Sequence, residues 1–353
     1  MIVRPPAHAE LLVKTAKIRL KRAETSNFNG IPMETQATDL NPRVVRDHGG
    51  GLDAAVQRFG GNREDWVDLS TGINPVPYPL MDFCVTDWTA LPDHGAFERL
   101  AKAARQFWNV PDGAAILPAP GASALIARIP ALADRGRVQI TTPTYNEHAA
   151  AFSAQGWTVQ ESGPTDARVI VHPNNPDGRF WTEADAKAPL TVIDESFCDV
   201  TPDRSLVHLA DRAGVVVLKS FGKFWGLAGL RLGFAIGHPE LIARLNDLTG
   251  PWAVSGPALR VGAQALRDNQ WATDTRARLA EDATRLDALI LRRGARLVGG
   301  TTLFRLYDVD SANDWQARLA QSHIWSRVFP YSASYLRLGL PAPKDWDRLE
   351  AAL

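Results

Sequence analysis

Cysteine is almost missing from this chain: Cys84 and Cys198 are the two among 353 residues. Two thiols cannot build a disulfide framework, so a reducing cytoplasm is the expected setting. Net charge is missing too, with 39 Lys and Arg balanced by 39 Asp and Glu. Without a basic stripe through the body, nucleic acid is not expected as the main partner. No apolar run approaches the ~18 residues a membrane helix requires, so no membrane partner is expected either. There is no internal repeat. Cys198 follows an apolar run and reads as a small buried residue rather than a nucleophile. The length suits a large and a smaller domain in one chain.

Residues 1–44 stand apart. Leu11–Glu24 carries Lys14, Lys17, Arg19, Lys21 and Arg22 against Glu24, and lacks the apolar core and cleavage site of a secretory signal. A loosely ordered basic extension is expected, with a membrane-surface or partner helix as the alternative and Met33 as a candidate native start. Further on, apolar strand candidates at 114–118, 137–142, 167–172, 190–194, 214–219 and 232–236 are separated mostly by helical stretches. That pattern predicts an α/β fold, a large domain with a mostly parallel sheet flanked by helices, and function at the strand ends. Leu279, Ala283, Leu286 and Ile290 follow helical spacing up to a stop at Gly294. Strands at 295–298, 302–308, 324–329 and 335–340 and a last helix from Lys344 complete a smaller α/β domain. The expected division is an extension over 1–44, a segment 45–82 packing on the small domain, a large domain 83–245 and a small domain 246–353.

Chemistry is concentrated in Ser220-Phe-Gly-Lys223, just past the apolar run Val215–Leu218, with Arg231 eight residues on. A lysine there, flanked by a hydroxyl and a guanidinium, suits a cofactor with an aldehyde at one end and a phosphate at the other. Lysine condenses with the aldehyde, while Ser220 and Arg231 hold the phosphate. Alone, the same lysine is equally a surface residue beside a strand end. Pro120-Gly121-Ala122-Ser123 lies between a strand at Ala115–Leu117 and a helical stretch at Leu125–Ala133, offering free N–H groups and a helix dipole to a phosphate. Asn175, held extended before Pro176, can aim its amide at a ring oxygen. Asp194, ending the run Leu190–Asp194, could keep a pyridinium nitrogen protonated, and Tyr145 offers an aromatic face past the strand Val138–Thr142. Each has a plainer role: rim aromatic for Tyr145, helix N-cap for Asp194, turn former for Asn175. Together and in this order they point to pyridoxal 5′-phosphate, with no metal.

The same residues, in the same order, resemble the class I/II aminotransferase family, the fold-type I pyridoxal phosphate enzymes, over roughly residues 45–350. Asp47-His48-Gly49-Gly50, Asp68-Leu-Ser-Thr-Gly-Ile-Asn74-Pro75, Leu230-Arg-Leu-Gly-Phe234, Pro251-Trp-Ala-Val254 and Leu336-Arg337-Leu-Gly-Leu-Pro341 are similar to the threonine-phosphate decarboxylases of cobalamin biosynthesis. The version found in aerobic cobalamin producers is the nearest in kind. The resemblance implies decarboxylation of L-threonine O-3-phosphate to (R)-1-amino-2-propanol O-2-phosphate, with Lys223 and Asp194 as catalytic residues. It implies Arg337 as the carboxylate contact, His48 and Arg327 for the substrate phosphate, Asn74 on the carboxylate side and His148 near the ring. For Arg337 a surface ion pair is the plain alternative. Lys223 is the expected proton donor to Cα, with water or a tyrosine as alternatives.

Two positions depart from the family's pattern. Phe197 stands where many relatives carry a tyrosine that hydrogen-bonds the ring oxygen, which leans away from transamination. Leu91, in Leu91-Pro92-Asp93, stands where relatives often carry a tyrosine that reaches the neighbouring subunit's cofactor phosphate. A homodimer is expected nonetheless. Two other functions remain open: an aminotransferase acting on histidinol phosphate or a related phosphorylated amine, and a non-catalytic cofactor-binding partner in cobinamide side-chain assembly.

Overall fold

A computed structural model of the chain describes residues 47–353, and the basic extension expected over 1–44 lies outside the described residues. Seven strands lie side by side in the order Ala115–Ala119, Gly233–Gly237, Val215–Ser220, Leu190–Asp194, Ala167–Val171, Arg137–Ile140 and Thr158–Gln160. Gly233–Gly237 runs antiparallel to both neighbours, and the remaining pairings are parallel. The six predicted strands are all present. The edge strand Thr158–Gln160 is additional, and too short to stand out as an apolar run.

Side chains alternate across a strand, and a sheet buried on both faces therefore needs apolar residues at every position. Along Val215–Ser220, Val216 and Leu218 pack into one apolar cluster while Val215 and Val217 pack into another. Val192 and Ile193 divide between the same two clusters. The covering is thinner in helix than expected. After Val171 and Asp194 the chain crosses over through short 3₁₀ turns, among them Glu183–Asp185, Cys198–Val200 and Val207–Leu209. Pro173, Pro176 and Pro189 in the first of these crossovers remove donors and favour extended backbone, and Gly178, with φ 73°, turns the chain, which together stop a helix from propagating. The helix expected at 125–133 is likewise broken into Ala122–Ile126 and a 3₁₀ turn Ile129–Leu132, with Pro130 at the break.

The long helix Asn269–Leu291 buries Leu279, Ala283, Leu286 and Ile290 as their spacing predicts. The Asp268 carboxylate accepts from Trp271 N at its start, and Gly294, with φ 89°, turns the chain away at its end. A four-stranded antiparallel sheet follows, in the order Arg327–Phe329, Ser332–Gly339, Phe304–Asp308 and Arg296–Thr301. The helix Ala312–Gln321 between its strands was not anticipated, and the last helix starts at Trp346 after a turn at Pro343–Asp345. Val67–Asp68 pairs in parallel with Ile324–Trp325, and Trp325 Nε1 donates to Gly50 O at 3.0 Å. The early segment thereby lies beside C-terminal strands. The described residues 47–353 form one compact unit, and one apolar cluster runs from Ile193 and Val217 through to Leu336 and Leu338. No helix among the described residues is long and apolar enough to cross a membrane.

Candidate active site

The strand order brings the predicted residues together. The parallel strands and Ala115–Ala119 end at one edge of the sheet, and the opposed strand Gly233–Gly237 begins there. Chain leaving a sheet frees its side chains and backbone donors, so functional groups collect at such ends. Gly121, Ala122 and Ser123 follow one strand. Tyr145, Asn175 and Asp194 follow or end three others. Ser220 and Lys223 close the central one, and Arg231 precedes the opposed one.

An inner cavity of about 130 Å³ is lined by Ser123, Asp194, Ser220, Lys223 and Arg231, together with Ala122. Asp194 is buried. Its Oδ2 accepts from His148 Nε2 at 2.8 Å, and its Oδ1 accepts from Ser196 N at 3.0 Å and Ser196 Oγ at 2.5 Å. A carboxylate only accepts, so His148 carries its proton on Nε2 in this bond. Burial pushes the Asp194 carboxyl up, but the bond and charge of His148 and the two Ser196 bonds outweigh it, leaving it below its ordinary value. Asp194 is therefore an anion, the state a pyridinium N–H requires of its partner. Lys223, half-buried, is lowered to about 8 by burial first and then by the Arg337 charge, with Asp194 and Asp68 opposing. Its Nζ lies 5.1 Å from the centre of the Phe197 ring. A neutral amine is the form that attacks an aldehyde. Tyr145 is pushed up to about 12 by burial and by the Asp194 charge, which keeps its hydroxyl protonated.

These groups fit pyridoxal phosphate: an amine, an ionised carboxylate, two hydroxyls and a guanidinium line one small cavity. Gly121 has φ 88°, and a Cβ there would come within 2.6 Å of Arg231 Nη2, so glycine leaves the guanidinium its place. The helix dipole expected to help hold the phosphate is weaker than the sequence suggests, because the helix after Gly121 ends at Ile126. A phosphate there would depend on Ser123, Ser220, Arg231 and local N–H groups.

An outer cavity of about 610 Å³ shares Tyr145, Asn175, Phe197 and Lys223 with the inner one and adds His48, Arg327 and Arg337. Arg337 is 3% exposed, which removes the surface ion pair as its explanation. Its Nη1 donates to Asn175 Oδ1 and its Nη2 to Ser70 O, while Nε is buried with no hydrogen-bond partner among the described residues. Burial and the nearby Arg327 charge lower it to about 10, so it stays a cation at neutral pH. A buried cation with a spare donor is an electrostatic demand for an anion. The rim groups are already paired. Arg327 donates to both Asp47 oxygens at 2.6 and 2.7 Å, and His48 Nε2 lies 2.9 Å from Glu147 Oε1.

Asn74 is a correction. It lines neither cavity. Buried, its Nδ2 donates to Phe224 O at 2.9 Å, and its Oδ1 accepts from Val76 N at 3.0 Å and Arg278 Nη2 at 2.7 Å. Every polar atom of its side chain is engaged, and Asn74 N also donates to Lys223 O at 3.0 Å. It pins the lysine loop rather than facing a ligand. Leu91 is exposed and lines a separate hollow with Pro92, Asp93 and Arg260. The outer cavity also contains Thr71 and Tyr331, neither of which stands out in the sequence. Pro330-Tyr331 forms the turn between two strands, and an aromatic beside a turn proline was the available signal. Behind the sheet, His172, Glu195 and Cys198 lie close enough to bracket an ion. His172 Nδ1 already accepts from Trp181 N and Nε2 contacts Arg204 O, while Glu195 is paired to Lys219, so their ligand atoms are committed within the protein. Burial pushes the Cys198 thiol up, which makes it a poor nucleophile.

Residues 160–353 match the family described as aminotransferase class I and II. A threonine-phosphate decarboxylase of Sinorhizobium sp is 38% identical over 319 residues, covering 85% of this chain and 95% of that protein. Another protein of that name, from Pseudomonas aeruginosa, is 40% identical over 329 residues, covering 87% and 97%. The fold is also that of the histidinol-phosphate aminotransferase from Sinorhizobium meliloti in complex with pyridoxal-5′-phosphate, with a TM-score of 0.77, 18% identity, and coverage of 90% and 97%. With such identity sustained across most of its length, the chain belongs to the class I and II aminotransferase family, and its cofactor is pyridoxal phosphate.

Proposed function

We propose that this chain decarboxylates L-threonine O-3-phosphate, giving (R)-1-amino-2-propanol O-2-phosphate and carbon dioxide in cobalamin biosynthesis. The observation that carries the reading is Arg337, a buried cation with a spare donor in the cavity that also contains Lys223. The relatives of that name, at 38% and 40% identity, support it.

Bound pyridoxal phosphate would supply an electron sink for the pair left at Cα when the bond to the carboxylate breaks. Ser123, Ser220 and Arg231 would hold its phosphate, Asp194 would accept from the ring N–H, Asn175 would donate to the ring oxygen and Tyr145 would cover a ring face. Arg337 takes the substrate carboxylate, and His48 and Arg327 take its phosphate. Their present partners, Glu147 and Asp47, then share or yield those contacts. Phe197 and Phe329 line the outer cavity with apolar surface that excludes water. As carbon dioxide leaves, the electron pair at Cα takes a proton from Lys223 Nζ, so a C–C bond is exchanged for a C–H bond. With its pKa near 8, the lysine can both give and regain that proton close to neutral pH.

The reading includes a homodimer, supported by exposed Leu80, Val85, Trp88 and Leu91 and by the exposure of Ser123 and Arg231 at the phosphate end of a single chain. It places residues 83–245 as the cofactor-binding domain, with 45–82 and 246–353 forming the other wall. A cytoplasmic setting fits the two unpaired cysteines. The test is product analysis by mass spectrometry after mixing protein, pyridoxal phosphate and L-threonine O-3-phosphate without an oxo acid. Aminopropanol phosphate and carbon dioxide are expected. Turnover only with 2-oxoglutarate and histidinol phosphate would make the chain an aminotransferase instead.

A further inference from the structure

Ser70 lies behind the wall of the substrate cavity, bonded both to the 47–50 segment and to Arg337, and every polar atom it carries is used. It is 1% exposed, so no solvent replaces a bond it loses. Its carbonyl oxygen accepts from Arg337 Nη2. Its hydroxyl accepts from Gly50 N at 2.6 Å and donates to Asp68 Oδ1 at 2.6 Å, and its own N–H donates to the same Asp68 oxygen at 2.8 Å. Asp68 thus fixes the hydroxyl's rotamer. Asp47, His48 and Gly49 line the outer cavity, and the 47–50 segment is tied on one side to Asn146, which donates to Asp47 O at 2.9 Å, and on the other to Arg327 and Trp325. Gly49 packs so closely on Ser70 that a Cβ there would lie 2.4 Å from Ser70 O. Ser70 is the atom-level joint between this segment, which carries His48, and the buried Arg337.

We propose that Ser70 is a positioning residue that sets the distance between Arg337 and the 47–50 segment, so that one substrate engages cationic groups at both of its ends. The proposal rests on the substrate reading above, in which the carboxylate meets Arg337 and the phosphate meets His48 and Arg327. Ser70→Ala separates the two functions of the residue. The backbone oxygen still holds Arg337, while the link to Gly50 is lost. Contact at the carboxylate end is kept and contact at the phosphate end is loosened.

The test compares Ser70→Ala with wild type, both loaded with pyridoxal phosphate. Loss of one buried hydrogen bond weakens L-threonine O-3-phosphate about tenfold in KM. The expected kcat stays within about threefold, because no reacting group is moved. L-Threonine, which lacks the phosphate, keeps its inhibition constant within about twofold on the same reasoning. Asp68→Asn, which leaves the volume intact, moves KM in the same direction by less, and amide exchange at residues 49–51 accelerates in Ser70→Ala. An unchanged KM, an equal loss for both ligands, or a fall in kcat at constant KM overturns the proposal. If the wild type binds the phosphorylated substrate without releasing carbon dioxide, the decarboxylase reading fails separately. The two ligands' dissociation constants, taken from the cofactor's absorbance near ~420 nm, still decide the case for Ser70.

Discussion

Lys219 and Lys223 stand four residues apart at the end of one strand, and their surroundings drive them in opposite directions. Lys219 shares the face of Val215 and Val217 and is 1% exposed. Its Nζ lies 2.6 Å from Glu195 Oε2 and 3.6 Å from Asp199 Oδ1. Burial alone would lower its pKa, yet the two carboxylates outweigh burial and raise it. The carboxylates are themselves satisfied: Glu195 accepts from Ser205 Oγ and Leu206 N, and Asp199 accepts from the indoles of Trp108 and Trp225. Lys223, just beyond the strand, has no ion-pair partner among the described residues, and burial, joined by the Arg337 charge, lowers it to about 8. The difference teaches that burial sets the stakes and the partner sets the sign. A paired buried lysine is a fixed structural cation, whereas an unpaired one beside a cavity is a nucleophile and proton carrier.

The comparison breaks most sharply at cofactor attachment. Lys223→Ala should abolish the absorbance near ~420 nm and lower carbon dioxide release by at least ~10³-fold, while Lys219→Ala should keep the band in whatever fraction remains folded. A band that survives in Lys223→Ala would assign the wrong lysine. Next in size is the effect of Lys219→Met on stability. It leaves Glu195 and Asp199 buried without their cation and should cost about 3–5 kcal/mol in urea denaturation.

The same change at Lys223 should act the other way. In cofactor-free protein at pH 7, Lys223→Met should raise stability by roughly 1–2 kcal/mol, since a half-open cavity moderates the penalty of burying the ammonium. The sign comes from linkage. The folded pKa of about 8 lies below the unfolded value, so the unfolded chain holds the proton more firmly. The penalty is full below pH 8 and fades as pH rises towards ~10.4, and the advantage of Lys223→Met should fade with it. Equal stability of both proteins at pH 7 would remove the desolvation argument. Smallest of all, attachment of pyridoxal phosphate to cofactor-free protein should quicken as pH rises through about 8 and level off above ~9, followed by absorbance. A flat profile would mean that the amine is already neutral at pH 7.

Much of this was legible in the linear chain, and the reason is local. The strand Val215–Ser220 opens with three β-branched residues and a leucine and is followed by glycine at 222, so its end, and the lysine beyond it, can be placed without tertiary knowledge. The helix Asn269–Leu291 is legible from its apolar spacing. Asn74 was misplaced because the proximity of a motif to a site says nothing about which way an amide turns. Its direction depends on Phe224 and Arg278, about 150 and 200 residues away. Ser70 and Tyr331 were passed over for the same reason, since a serine or a turn tyrosine gains meaning from the residues that fold against it.

The order of residue types along the chain determined by itself the sheet, the cofactor and the lysine proposed to receive it. A period of two assigns each strand residue a face, and the residues just past a strand end are left exposed at the sheet's edge. Tertiary structure alone decided the charge state of each group. Asp194 is an anion because His148 and Ser196 reach it, Lys223 is easily deprotonated because it is buried beside Arg337 with no carboxylate paired to it among the described residues, and the Arg327 cation is paired because Asp47 returns across the cavity. Charge states depend on distances of a few ångströms between residues far apart in sequence, and only the closed fold sets those distances.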